Sequence, residues 1–135
     1  MQKFISVTGV LVLAALGLSA CEDAGDTAGS MSDYDISQDV YTRAYDSGFN
    51  RAADRLGWPT EVQFAWSRLG AGLTCGAGID RKHAVAALAL KFPDISSVTH
   101  DLNGLGFHTV QSRKVDGFCT PARMQALESV VAQYQ

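Results

Sequence analysis

An all-α fold is predicted for residues 36–135 on two observations. Apolar residues recur at spacings of three and four in five separate segments, as they do in helices that bury one stripe. Each segment is also bounded by a capping Thr or Asp, a glycine or a proline, the residues that start and stop helices. About five helices result, an N-terminal one followed by two helix–loop–helix units.

The first helix is expected over 36–56, with Asp35 and Gln38 resembling a capping box and Gly57 as its stop. Val40, Tyr41, Ala44, Tyr45, Phe49, Ala52, Ala53 and Leu56 keep helical spacing, which for aromatic residues points to a core. A second helix starts at Thr60 as N-cap, buries Val62, Ala65, Trp66 and Leu69, and is expected to end at Gly70. The glycine cluster over 70–78 lacks the Lys-Ser/Thr of a phosphate loop and follows a helix, so it reads as a loop with unusual backbone angles. A third helix begins at Asp80 and ends at Pro93. It is apolar nearly all round, which predicts the most buried element. A fourth follows Asp94, with Ile95, Val98 and Leu102 inward and Asn103-Gly104 at its end. The stretch from Gly106 to Cys119 has no clean period and is expected to be irregular, with Asp116-Gly117 as a tight turn. The last helix has Thr120 as N-cap and Pro121 at its first position, and an apolar face of Met124, Leu127, Val130 and Val131.

The amino terminus is of another kind. Residues 4–20 carry no charge and follow Lys3, a pattern that predicts a signal peptide over 1–20. Its length is at the lower limit for a membrane-spanning helix, and no basic cluster follows. Residues 21–35 hold Glu22, Asp23, Asp26, Asp33 and Asp35 among small residues, a composition that reads as a flexible acidic tether. With Lys3 and these five acids set aside, ten Lys and Arg stand against nine Asp and Glu, so the domain is nearly neutral. Nothing there is a nucleic-acid surface.

Leu18-Ser19-Ala20-Cys21 closes the apolar run and resembles the lipobox of bacterial lipoproteins. The resemblance implies cleavage before Cys21, a diacylglyceryl group on its thiol and acylation of the new amino group. Two or three acyl chains hold a protein stably on a membrane where one does not. The domain would then face the periplasm or cell surface of a bacterium. With Cys21 acylated, Cys75 and Cys119 remain and read as a disulfide in an oxidising compartment. In the chain-entropy model such a bridge stabilises by about 4 kcal/mol. The alternative makes Cys75 a nucleophile with His83, His100 or His108 as base, although no cysteine-protease signature surrounds it.

Residues 62–70 align with 98–107, and Arg81, Ala84-Val85 and Phe92 align with Arg123, Ala126-Leu127 and Tyr134. These correspondences suggest repeat-like units over 60–93 and 94–135. The second unit resembles the small helical peptidoglycan-binding domain family. Val98, Leu102, Leu105, Gly106 and Phe107 match its first helix, and Asp116-Gly117, Pro121 and Ala126-Leu127 its loop and second helix. Thr99, Thr120, Arg123 and Val130-Val131 depart from its pattern. The resemblance implies wall contact through the loop before the last helix. Its polar residues are Arg113, Lys114 and Asp116, with His108, Gln111 and Ser112 beside them.

The three histidines have no metal-ligand spacing and are expected on the surface or half-buried. No carboxylate pair presents itself as acid and base, and no cofactor motif is present. The expected function is a lipid-anchored, non-catalytic envelope protein whose domain contacts peptidoglycan or a wall-bound partner. The alternatives are a lipoprotein that binds an exported protein, as inhibitor, immunity or assembly factor, and a hydrolase.

Overall fold

The computed structural model describes residues 36–134. The expected signal peptide, the expected tether with Cys21 and the expected Asp35 cap lie outside the described residues. Among the described residues there are five helices and no strand. They are α1 (Gln38–Asp46), α2 (Thr60–Thr74), α3 (Arg81–Lys91), α4 (residues 97–114) and α5 (Pro121–Gln133). A 3-10 turn, Ala52–Asp54, stands between α1 and α2.

α1 stops ten residues short of the expected Leu56. Gly48 takes a left-handed φ of 71°, its N–H donates to the Tyr45 carbonyl, and the Phe49 N–H donates to Ala44. This pair of bonds is a Schellman motif, which satisfies the last carbonyls and turns the chain away. Tyr41, Ala44, Tyr45 and Phe49 still reach the core, Phe49 from its own left-handed φ of 57°.

α2 continues through Gly70, which was expected to end it, and closes four residues later in the same way. Gly76 is left-handed, and the Ala77 N–H bonds the Gly72 carbonyl at 2.9 Å. Gly70 instead marks a helix crossing. A Cβ there would stand 2.9 Å from the backbone of His108 and Thr109 on α4, too close for any side chain. Gly104 does the same from α4, where a Cβ would strike the Trp66 ring at 2.7 Å. Each glycine weakens its helix by about 1 kcal/mol and lets the two helices meet backbone to side chain. α2 is therefore the central element, packed against α4 and α5, with residues 65–67 and 69–72 all buried.

α3, expected to be the most buried, is peripheral. It lies on the first half of α4 and buries Ala84 and Leu88, while Leu90 is 85% exposed. The centre is taken by α2, whose small residues allow closer contact than the broad apolar girth of α3.

α4 corrects two expectations. It starts from Ser96, whose hydroxyl accepts the Thr99 N–H at 3.1 Å, and it passes through Asn103-Gly104 without ending. Ser97–Thr99 and Phe107–Lys114 are α-helical, and His100–Gly106 between them is a π-helix. The segment expected to be irregular is thus helical up to Lys114. Val98 is 66% exposed and Leu102 is exposed too, because the buried stripe is formed by His100, Gly104, Leu105, His108, Thr109 and Ser112. π-turns of this kind often mark functional positions.

α5 begins as expected, with the Thr120 hydroxyl accepting the Arg123 N–H and Pro121 at the first position. Leu127, Val130 and Val131 are buried and Met124 is exposed. Cys75 and Cys119 are bonded, S–S 2.08 Å, joining the end of α2 to the start of α5. Arg123 ties α5 to α1 by donating three hydrogen bonds of 3.0, 3.2 and 3.2 Å to the Asp46 carboxylate.

Candidate functional site

His100 and His108, expected at the surface or half-buried, are fully enclosed. Their ring nitrogens are committed to other helices. The Gln63 amide N–H donates to the Arg55 carbonyl at 2.8 Å, which leaves Gln63 Oε1 as an acceptor 2.7 Å from His108 Nε2. His108 must then donate from Nε2 and accept at Nδ1, where the Tyr41 hydroxyl stands 2.9 Å away. Burial pushes the Tyr41 hydroxyl well above its usual pKa, and burial, with the nearby Arg68 charge, pushes His108 down to about 3. His108 is therefore a neutral link between α1, α2 and α4.

His100 accepts the Trp66 indole N–H at Nδ1, 2.9 Å, and faces the Phe92 carbonyl with Nε2 at 3.3 Å. Burial lowers its pKa as well. His83 is exposed, and its backbone N–H bonds the capping Asp80 carboxylate. Cys75 is held in its disulfide, which removes the thiolate that the nucleophile reading requires.

Arg113 and Lys114 occupy the last turn of α4 and are exposed, where cations complement the helix dipole. Asp116 is exposed in the following turn, and its N–H donates to Gln38 Oε1 on α1 at 3.2 Å. The turn is thereby fastened at both ends, by α1 and, three residues on, by the disulfide. His108, Gln111 and Ser112, the other polar candidates, are buried within α4 and serve packing. The Ser112 hydroxyl, for example, lies 2.6 Å from Thr74 Oγ1 on α2.

A second surface feature is a groove of about 460 Å³ between α3 and α4, with Val85 and Val98 on its walls. Arg81 and Asp101 pair across it at 2.6 Å. Sequence reasoning did not find Gln63 or the Trp66–His100 pair. Both depend on partners more than thirty residues away, and no local pattern reports that.

The chain matches no family model, no curated protein and no solved structure.

Proposed function

We propose that this chain is a lipid-anchored, non-catalytic protein of a bacterial envelope whose helical domain holds peptidoglycan. Arg113 and Lys114, exposed at the end of α4 beside the fastened Asp116 turn, carry this reading. Stem peptides of the wall offer carboxylates, which pair with guanidinium and ammonium groups. Loops and helix ends held by a rigid scaffold are where binding residues concentrate.

The anchor rests on Leu18–Cys21 and the uncharged run before it. Labelled palmitate is expected to enter the wild-type chain and not Cys21→Ala, and equal labelling of the two would remove the anchor. For the wall contact, the full chain in detergent is expected to co-sediment with purified peptidoglycan. Arg113→Ala/Lys114→Ala should weaken this several-fold, with the difference shrinking as salt rises, as exposed charge contacts do. Failure of the wild-type chain to sediment would move the reading to an exported protein partner. The groove between α3 and α4, together with exposed Leu90 and Val98, supports that second reading, since apolar surface marks protein contacts.

A further inference from the structure

The most distinctive unassigned feature is a cleft of about 310 Å³ between α1, the 3-10 turn and α4, within the range of small-ligand sites. Val40, Phe49, Leu56 and Phe107 give it apolar walls, and Ser37 and Asp54 are among its polar lining. Three observations set it apart from a packing gap. The Asp54 side chain is only 6% exposed, yet its buried Oδ2 accepts no hydrogen bond among the described residues. The nearest cation, Arg51 Nε, is 4.0 Å from Oδ2, on a side chain turned mostly to solvent. Among the described residues, the two non-glycine residues with left-handed backbone, Phe49 (φ 57°) and Leu56 (φ 52°), both line this cleft. Such conformations cost of order 1–3 kcal/mol each and gather at ligand clamps. A buried acceptor without a partner is costly as well.

We infer that the cleft binds a small organic cation, an ammonium group on an aliphatic or aromatic body, with Asp54 as its counter-ion. A neutral apolar guest would leave Oδ2 without a hydrogen bond, and an anionic one would face it. The chain's own segment before Ile36 is acidic, with Asp33 and Asp35 nearest, and suits the site poorly for the same reason. The apolar walls fit the body of the guest and exclude a bare hydrated ion. The inference is independent of the wall reading, because Arg113 and Lys114 are not part of this cleft.

The test uses the full chain with n-hexylammonium, 1-hexanol and hexanoate as probes, followed by calorimetry and by the methyl resonances of Val40 and Leu56. Hexylammonium should bind saturably and shift both methyls, hexanol at least tenfold more weakly, and hexanoate least. Asp54→Asn, which keeps the shape, should cost hexylammonium at least about tenfold in affinity and leave hexanol unchanged. Val40→Trp, at the exposed edge of the cleft, should abolish both. Unchanged circular dichroism would establish that each variant is folded. Equal affinity of wild type and Asp54→Asn for hexylammonium, or no saturable binding to the wild type, would overturn the inference.

Discussion

Lowering the pH from 7 to 4.5 is expected to cost the domain about 2.5 kcal/mol through His108 alone. Its pKa in the fold is pushed down to about 3 by burial and the Arg68 charge, against an ordinary 6.5. Between those values the unfolded chain binds a proton that the native ring refuses. The stabilisation is therefore fully present above pH 6.5 and is lost as pH falls toward 3, at about 1.4 kcal/mol per unit. The geometry explains the refusal. A proton on Nδ1 would face the Tyr41 hydroxyl, which would have to turn its own hydrogen to another acceptor, and the His108 carbonyl is 3.5 Å away. His100, also lowered by burial, adds to the same slope. Urea midpoints between pH 7 and 4.5 read the effect before most carboxylates titrate. His108→Gln should be less stable at pH 7 and show a visibly shallower slope. A flat profile in the wild type, or the same slope in the variant, would refute the assignment.

Trp66→Ala should destabilise by about 4 kcal/mol, near the middle of the range for a buried aromatic cut to alanine. The ring is fully buried, meets Trp58 edge-on at 5.1 Å and fills the space left open by Gly104. Its loss also removes the donor to His100 Nδ1. In a domain of this size the melting temperature should fall by more than 15 °C. Trp66→Phe separates the two contributions, because it keeps most of the packing and removes the hydrogen bond, for a loss of about 1–3 kcal/mol. Thermal and urea unfolding of both variants with the disulfide intact would measure this. A loss below about 2 kcal/mol for Trp66→Ala would mean that α2 and α4 are held together elsewhere.

Where a feature depends on a few neighbouring residues, it could be read from the chain. Asp80 and Thr120-Pro121 cap α3 and α5 because a side-chain oxygen reaching an N–H three residues on needs no tertiary partner. Helical spacing identified Tyr41, Tyr45, Trp66 and Leu127 as core, and two spare cysteines were enough to name the disulfide. The early end of α1 was locally encoded as well, in Gly48, but the apolar period running on to Leu56 hid it.

Other features waited on what lies opposite. Gly48 and Gly76 turn the chain while Gly70 and Gly104 seat one helix against another, and the difference is set by the Trp66 ring and the α4 backbone, not by the glycine. Hydrophobic period chose Val98 and Leu102 as the inner face of α4, because it counts only apolar burial. The true inner face is His100, His108, Thr109 and Ser112, and polar side chains can be buried only when distant residues supply their hydrogen bonds. Asp54 is the converse case, a carboxylate whose Oδ2 the fold encloses without giving it a hydrogen-bond partner among the described residues. Sequence by itself thus determined the helical class, the caps of α3 and α5 and the disulfide, all local or covalent matters. Only the tertiary structure decided which helix is central, which histidines are enclosed and where a cleft opens, because each depends on the close approach of segments far apart in the chain.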